Sequence, residues 1–149
     1  LERKVREEKT PVIGICLGMQ LLTNSSEEGK LPGLGWIDAE TRRFQLDSEN
    51  PDHAGLKIPH MGWNEVTPKE GEFLYKGYEE IPRYYFVHAY HVCCRHEENS
   101  TGRTVHGYEY TSSIRKRNVM GVQFHPEKSH RFGLKLFQNF ATVDPVSLQ

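Results

Sequence analysis

Cys16 stands in the run Gly14-Ile15-Cys16-Leu17-Gly18, after the apolar stretch Pro11-Val12-Ile13 and before Met19-Gln20-Leu21-Leu22. That is the strand–turn–helix order that lifts a nucleophile off the end of a strand. The flanking glycines are expected to supply the conformational freedom of a sharp turn. A thiol with an ordinary pKa of about 8.5 is mostly protonated at neutral pH. A helix N-terminus predicts help, because its dipole and free N–H groups favour the thiolate, and the Leu17 N–H is placed to receive an oxyanion. The second constellation is Val122-Gln123-Phe124-His125-Pro126-Glu127-Lys128, an apolar run ending in histidine with a carboxylate two residues on. Glu127 is close enough in sequence to hold the imidazole of His125 in one tautomer. Taken singly, a free cysteine is more often a small buried residue, and a His-Pro pair is more often a surface turn. Taken together, Cys16, His125 and Glu127 read as a triad for nucleophilic hydrolysis.

Positioning such groups requires particular elements. Residues 11–16 predict a buried strand, and residues 18–24 a short helix behind the turn. Residues 25–35 and 47–55 carry loop chemistry, with a strand of mixed facing between Trp36 and Leu46. A strand beginning at Lys57 is expected to turn at Gly62. Tyr84 to Cys94 predicts one long strand, rich in aromatic and β-branched residues. Further strands are expected over Arg103–Tyr110 and Val119–Phe124, with Arg115–Asn118 as a turn. Ser129 is placed to cap a final helix whose apolar face is Phe132, Leu136, Phe137 and Phe140. The first nine residues look like the charged end of a helix.

The 149 residues suit one domain, and 19 basic against 20 acidic residues leave no global field that would favour nucleic acid or a membrane surface. No run approaches the roughly 18 apolar residues of a membrane span. Three cysteines, two of them adjacent (Cys93 and Cys94), make a poor disulfide framework. A reducing compartment, hence a cytoplasmic protein, is expected. Cys93-Cys94-Arg95-His96 lacks a second ligand pair and reads as a strand end rather than a metal site.

Pro11 to Gln20 together with Gly121 to Glu127 resemble the triad-type, class I glutamine amidotransferases. Ser25–Gly29, Pro59-His60-Met61-Gly62-Trp63-Asn64 and Phe86-Val87-His88-Ala89-Tyr90 narrow the resemblance to the glutaminase subunits of imidazole glycerol phosphate synthase. The resemblance spans nearly the whole chain and implies an α/β fold: a flavodoxin-like open sheet with a strand-rich C-terminal half, as one domain over residues 1–149. It implies that Cys16 attacks the carboxamide of L-glutamine while His125, oriented by Glu127, moves the protons. Gly18, Gln20 and Glu28 match positions that hold the glutamine head group, with His88, Ala89 and Tyr90 nearby. Met61, Trp63, Asn64 and Lys128 match positions at the interface with a cyclase subunit, a (β/α)₈ barrel, in a heterodimer. No cofactor and no metal are implied.

The resemblance also places a Pro-Gly-x-Gly oxyanion loop, and the first strands, upstream of the nucleophile. Residues 1–149 are therefore expected to lack that loop and those strands, and Leu31-Pro32-Gly33-Leu34-Gly35, which lies downstream, reads as an ordinary glycine turn. Losing one oxyanion donor costs about 10²–10³ in rate, so residues 1–149, if they are the whole molecule, are expected to show negligible glutaminase activity even with a cyclase partner. Three other readings share these residues: ammonia supply for an amidino sugar of surface polysaccharides, a non-catalytic partner-binding module, and a stand-alone γ-glutamyl hydrolase.

Overall fold

The computed structural model describes residues 1–148. Ten strands and two α-helices form an α/β unit around one large mixed sheet and one small one. In chain order they are β1 (Val12–Ile15), α1 (Leu17–Leu21), β2 (Ser25–Ser26), β3 (Ala39–Arg43), β4 (His60–Glu65), β5 (Thr67–Pro68), β6 (Arg83–His88), β7 (Tyr90–Cys94), β8 (Ser100–His106), β9 (Tyr108–Lys116), β10 (Val119–Val122) and α2 (His130–Thr142). The large sheet runs β1-β10-β9-β7-β3-β2, with β8 also on β9 and β5 on β8. Pairing is parallel between β1 and β10 and between β2 and β3, and antiparallel elsewhere. β4 and β6 form a separate antiparallel pair.

Side-chain alternation along a strand sends successive residues to opposite faces. On β10, Val119 joins a core with Met19, Leu22, Trp36, Ile37 and Ile114, on the α1 side. Met120 and Val122 join the other core, with Phe86, Phe124, Phe132 and Leu136. The buried stripe Phe132, Leu136 of α2 closes that second core, and Phe137 and Phe140 pack at its edge. None of the helices among the described residues is long and apolar enough to cross a membrane.

Several expected elements divide or move. Tyr84 to Cys94 is two strands, because the chain changes sheets at Ala89, whose carbonyl accepts from Phe44 N–H. Propensity alone cannot show this break, since both halves favour extended backbone. β4 runs straight through Gly62 rather than turning there, although Gly62 has φ 122°. Arg103–Tyr110 is the two arms of a hairpin that reverses at Gly107, φ 78°. Arg115 and Lys116 still belong to β9, so the turn to β10 is confined to Arg117 and Asn118. Trp36–Leu46 forms a strand only at Ala39–Arg43, and residues 3–7 form a single π turn with Val5 buried. Ser129 precedes α2 without capping it: its hydroxyl donates to the His125 carbonyl and accepts from Tyr85 N–H.

Candidate active site

β1 and β10 lie side by side in parallel, with Ile15 opposite Val122, so the segments that follow them leave the sheet at the same end. The first carries Cys16. Its N–H donates to the Val122 carbonyl at 2.8 Å, and its own carbonyl accepts from Met19 and Gln20 at 3.1 and 3.3 Å. Cys16 has φ 52° and ψ −108°. The unusual backbone is therefore carried by the cysteine itself, and neither Gly14 nor Gly18 has a positive φ. Gly14 is needed for room instead: a Cβ there would lie 2.5 Å from the Gly18 carbonyl, which packs on β1. This corrects the expectation that the glycines serve as hinges.

The second segment carries His125. Its N–H donates to the Tyr85 carbonyl at 2.9 Å, and its carbonyl accepts from Ser129 Oγ at 2.6 Å. Pro126 then opens a short 3₁₀ turn, Pro126–Lys128. Gly133 of α2 seats against that turn, where a Cβ would collide with the Pro126 carbonyl. His125 Nδ1 and Glu127 Oε1 are 2.6 Å apart. A carboxylate only accepts, so Nδ1 carries the hydrogen and Nε2 is left to take a proton.

Burial pushes the Cys16 thiol up, with the negative charges of Glu127 and Glu28 adding to it. The Leu17 N–H and the Gln123 side chain oppose this, and do not overcome it. The help expected from the helix N-terminus is thus outweighed by burial, so the thiol needs a base to ionise it. A helix of five residues is too short to reverse the desolvation of the sulfur.

Gln123 was not among the residues singled out from sequence. It is fully buried (0% exposed), 3.7 Å through Nε2 from Cys16 Sγ, and its Oε1 accepts from Gln20 Nε2 at 3.1 Å. Gln20 Nε2 also donates to the Tyr90 carbonyl at 3.4 Å. One amide inside an apolar run was the only available signal.

Leu17, Gln20 and Glu28 share a cleft of about 450 Å³ with Leu21, Leu31 and Gly33; Cys16 and Gly18 are the chain neighbours of Leu17. Of the expected neighbours, Tyr90 offers its main-chain carbonyl to Gln20, whereas the Ala89 carbonyl accepts from Phe44 N–H. The His88 ring does not join this cleft. It is buried, with Nδ1 donating to the Tyr90 carbonyl at 2.6 Å and Nε2 near Tyr110 Oη and His60 Nδ1, at 3.1 and 3.2 Å. Burial lowers its pKa to about 3.

The expected interface residues separate by strand alternation. Met61 and Trp63, 62% and 48% exposed, share the outer face of β4. Trp63 stacks on His130 at 5.7 Å and sits opposite Tyr85, over which Lys128 Nζ lies at 5.9 Å. Asn64 instead turns to the other face and binds the Val105 carbonyl and His60 Nε2, at 2.8 and 3.2 Å. Tyr85 links this outer face to the triad, since its carbonyl holds His125.

The family model described as glutamine amidotransferase class-I matches residues 1–143. The imidazole glycerol phosphate synthase subunit HisH 2 of Methanococcus maripaludis is 52% identical over 140 residues, covering 94% of this chain and 66% of that protein. The HisH subunit of Bdellovibrio bacteriovorus is 46% identical over 143 residues, 96% and 69% of the two chains. The chain thus spans about two thirds of the length of these relatives. A crystal structure of a glutamine amidotransferase superposes with a TM-score of 0.64 at 17% identity, covering 95% of this chain and 66% of that one, which supports the fold. With the cysteine turn and the His125–Glu127 pair following two adjacent parallel strands, this chain belongs to the class I glutamine amidotransferase family.

Proposed function

We propose that this chain is the nucleophile-bearing part of a glutaminase subunit that converts L-glutamine to glutamate and ammonia. The observation that carries the reading is the register of β1 and β10, which delivers Cys16 and His125–Glu127 to one end of the sheet. In the reaction, His125 Nε2 takes the thiol proton as sulfur bonds to the carboxamide carbon. The carbonyl π pair moves to oxygen, where the Leu17 N–H is one donor for the oxyanion. The oxyanion collapses, the C–N bond breaks, and His125 gives its proton to the leaving ammonia. A γ-glutamyl thioester remains. Water, deprotonated by His125, attacks it, and the C–S bond breaks to return thiolate and then thiol. A thiol pushed up by burial, and a histidine whose Nδ1 is held by Glu127 on the segment leaving the same end of the sheet, suit this order.

The HisH relatives are named as subunits of imidazole glycerol phosphate synthase, which favours a place in imidazole glycerol phosphate synthesis; to this we add a cyclase partner, histidine biosynthesis and a cytoplasmic setting as our own reading. Met61, Trp63 and Lys128 on the exposed face beside Tyr85 are the residues we assign to docking, with Asn64 supporting that strand from beneath. Gln20, Glu28, Gly18 and the main chain at Ala89 and Tyr90 are assigned to the glutamine pocket. The test is labelling of the partner complex with a glutamine analogue bearing an electrophilic diazoketone in place of the carboxamide. Modification of Cys16, with Cys93 and Cys94 spared and glutamine protecting, is expected. An unlabelled Cys16 would overturn the reading in favour of a non-catalytic binding module.

A further inference from the structure

Beneath the nucleophile, two carboxamides connect a main-chain carbonyl to the reactive sulfur. The Tyr90 carbonyl can only accept, and it already accepts from His88 Nδ1. Gln20 must therefore present its nitrogen to Tyr90, and the same nitrogen gives its second hydrogen to Gln123 Oε1. With Oε1 engaged, Gln123 presents Nε2 to Cys16 Sγ. The direction of both amides follows from the acceptor-only carbonyl at one end rather than from a choice between two similar orientations. Gln123 is held from its main chain as well, because its N–H donates to the Ser112 carbonyl at 2.9 Å. Fully buried on the strand side of the sulfur, it has no route to solvent.

We infer that Gln123 is a catalytic residue whose oriented N–H bonds the sulfur of Cys16, with Gln20 and the Tyr90 carbonyl as the positioning residues that aim it. A neutral thiol accepts hydrogen bonds weakly, whereas a thiolate accepts strongly. The N–H therefore contributes most when sulfur is anionic. That occurs twice: as the proton leaves for His125 before attack, and as the C–S bond of the thioester breaks in the second half-reaction. No atom of Gln123 is transferred, and the base remains His125. On the opposite side, the Leu17 N–H serves the same sulfur, so the anion would be held from the helix and from the strand.

This inference rests on reading Cys16 as the nucleophile, but its test needs no glutamine. The rate of Cys16 alkylation by iodoacetamide is followed against pH by peptide mass spectrometry, with Cys93 as the internal reference. Gln123→Met keeps an unbranched side chain and removes the donor. It is expected to move the Cys16 profile to higher pH, slowing alkylation about tenfold at pH 8, the size of one hydrogen bond to a charged group, while Cys93 is unchanged. Gln20→Met leaves Gln123 in place with its amide no longer aimed. It is expected to move the profile in the same direction by less, and it decides the question if Gln123→Met fails to fold. Profiles that coincide with the unmodified protein for both variants would overturn the inference. A shifted profile in a protein whose Cys16 resists the glutamine analogue would instead sink the glutaminase reading, and with it the catalytic role of Gln123, while leaving its hydrogen bond to the sulfur in place.

Discussion

Histidine occupies two contrasting settings only a strand apart. His125 sits at the rim of the sheet with a carboxylate on Nδ1 and some access to solvent. His60 and His88 are buried against Phe44, Phe86 and Tyr110, with His106 stacked on His60 at 4.2 Å. Every polar atom of these two inner rings is taken up by the neighbours already described: Asn64, Tyr110, each other and the Tyr90 carbonyl. Burial lowers their pKa values to about 4 for His60 and about 3 for His88. The same side chain is therefore a carboxylate-paired ring, to which we assign the carriage of protons, in one place and a neutral hydrogen-bonding strut in the other. What separates them is an anionic partner with water nearby, as against aromatic surroundings that penalise charge.

Exchanging the two roles is the strongest way to break this contrast. His125→Gln retains a polar side chain but no usable base, and is expected to lower glutamine-dependent ammonia release in the partner complex by about 10²–10⁴-fold. Assay of that complex at saturating glutamine would show it; a loss below tenfold would place the base elsewhere. The next effect is on stability. The inner rings stay neutral in the fold and become charged when unfolded, so their contribution is complete above their ordinary pKa of 6.5. As pH falls from 6.5 towards 4 and 3, the unfolded chain takes up protons that the native rings refuse, and stability is lost. The slope from each ring approaches about 1.4 kcal/mol per pH unit. Urea unfolding between pH 7 and 4 tests this, with His60→Phe expected to make the dependence shallower. The smallest effect belongs to Trp63→Ser. An exposed position of this kind changes stability by about 0.5 kcal/mol or less, while partner affinity, measured by titration calorimetry, is expected to fall at least tenfold if Trp63 is a docking anchor.

The rim site was legible in the sequence, and the inner one was not. Cys16 with its flanking glycines, and His125 with Pro126 and Glu127, are each contained in a few consecutive residues, so chain chemistry announces them. The β1–β10 pairing that unites them is carried by two short apolar runs of the expected type. Gln123 is different, because its partners Gln20 and Cys16 lie more than a hundred residues away and only the sheet brings them together. His88 was grouped with the glutamine site from its neighbours in sequence, yet strand alternation turns its ring inward. Asn64 follows the same rule beside Trp63. The break at Ala89 escaped for a related reason: a strand that changes sheets keeps its residue preferences on both sides.

The backbone of Cys16 carries a thermodynamic consequence. With φ 52° and ψ −108°, it occupies a region that a side chain disfavours, at a cost of about 1–3 kcal/mol. Glycine at this position would relieve that cost and remove a partly desolvated sulfur as well. The fold is therefore expected to be more stable with glycine at residue 16 than with cysteine. The strained backbone and the half-buried sulfur thus both draw on the stability that the two cores supply.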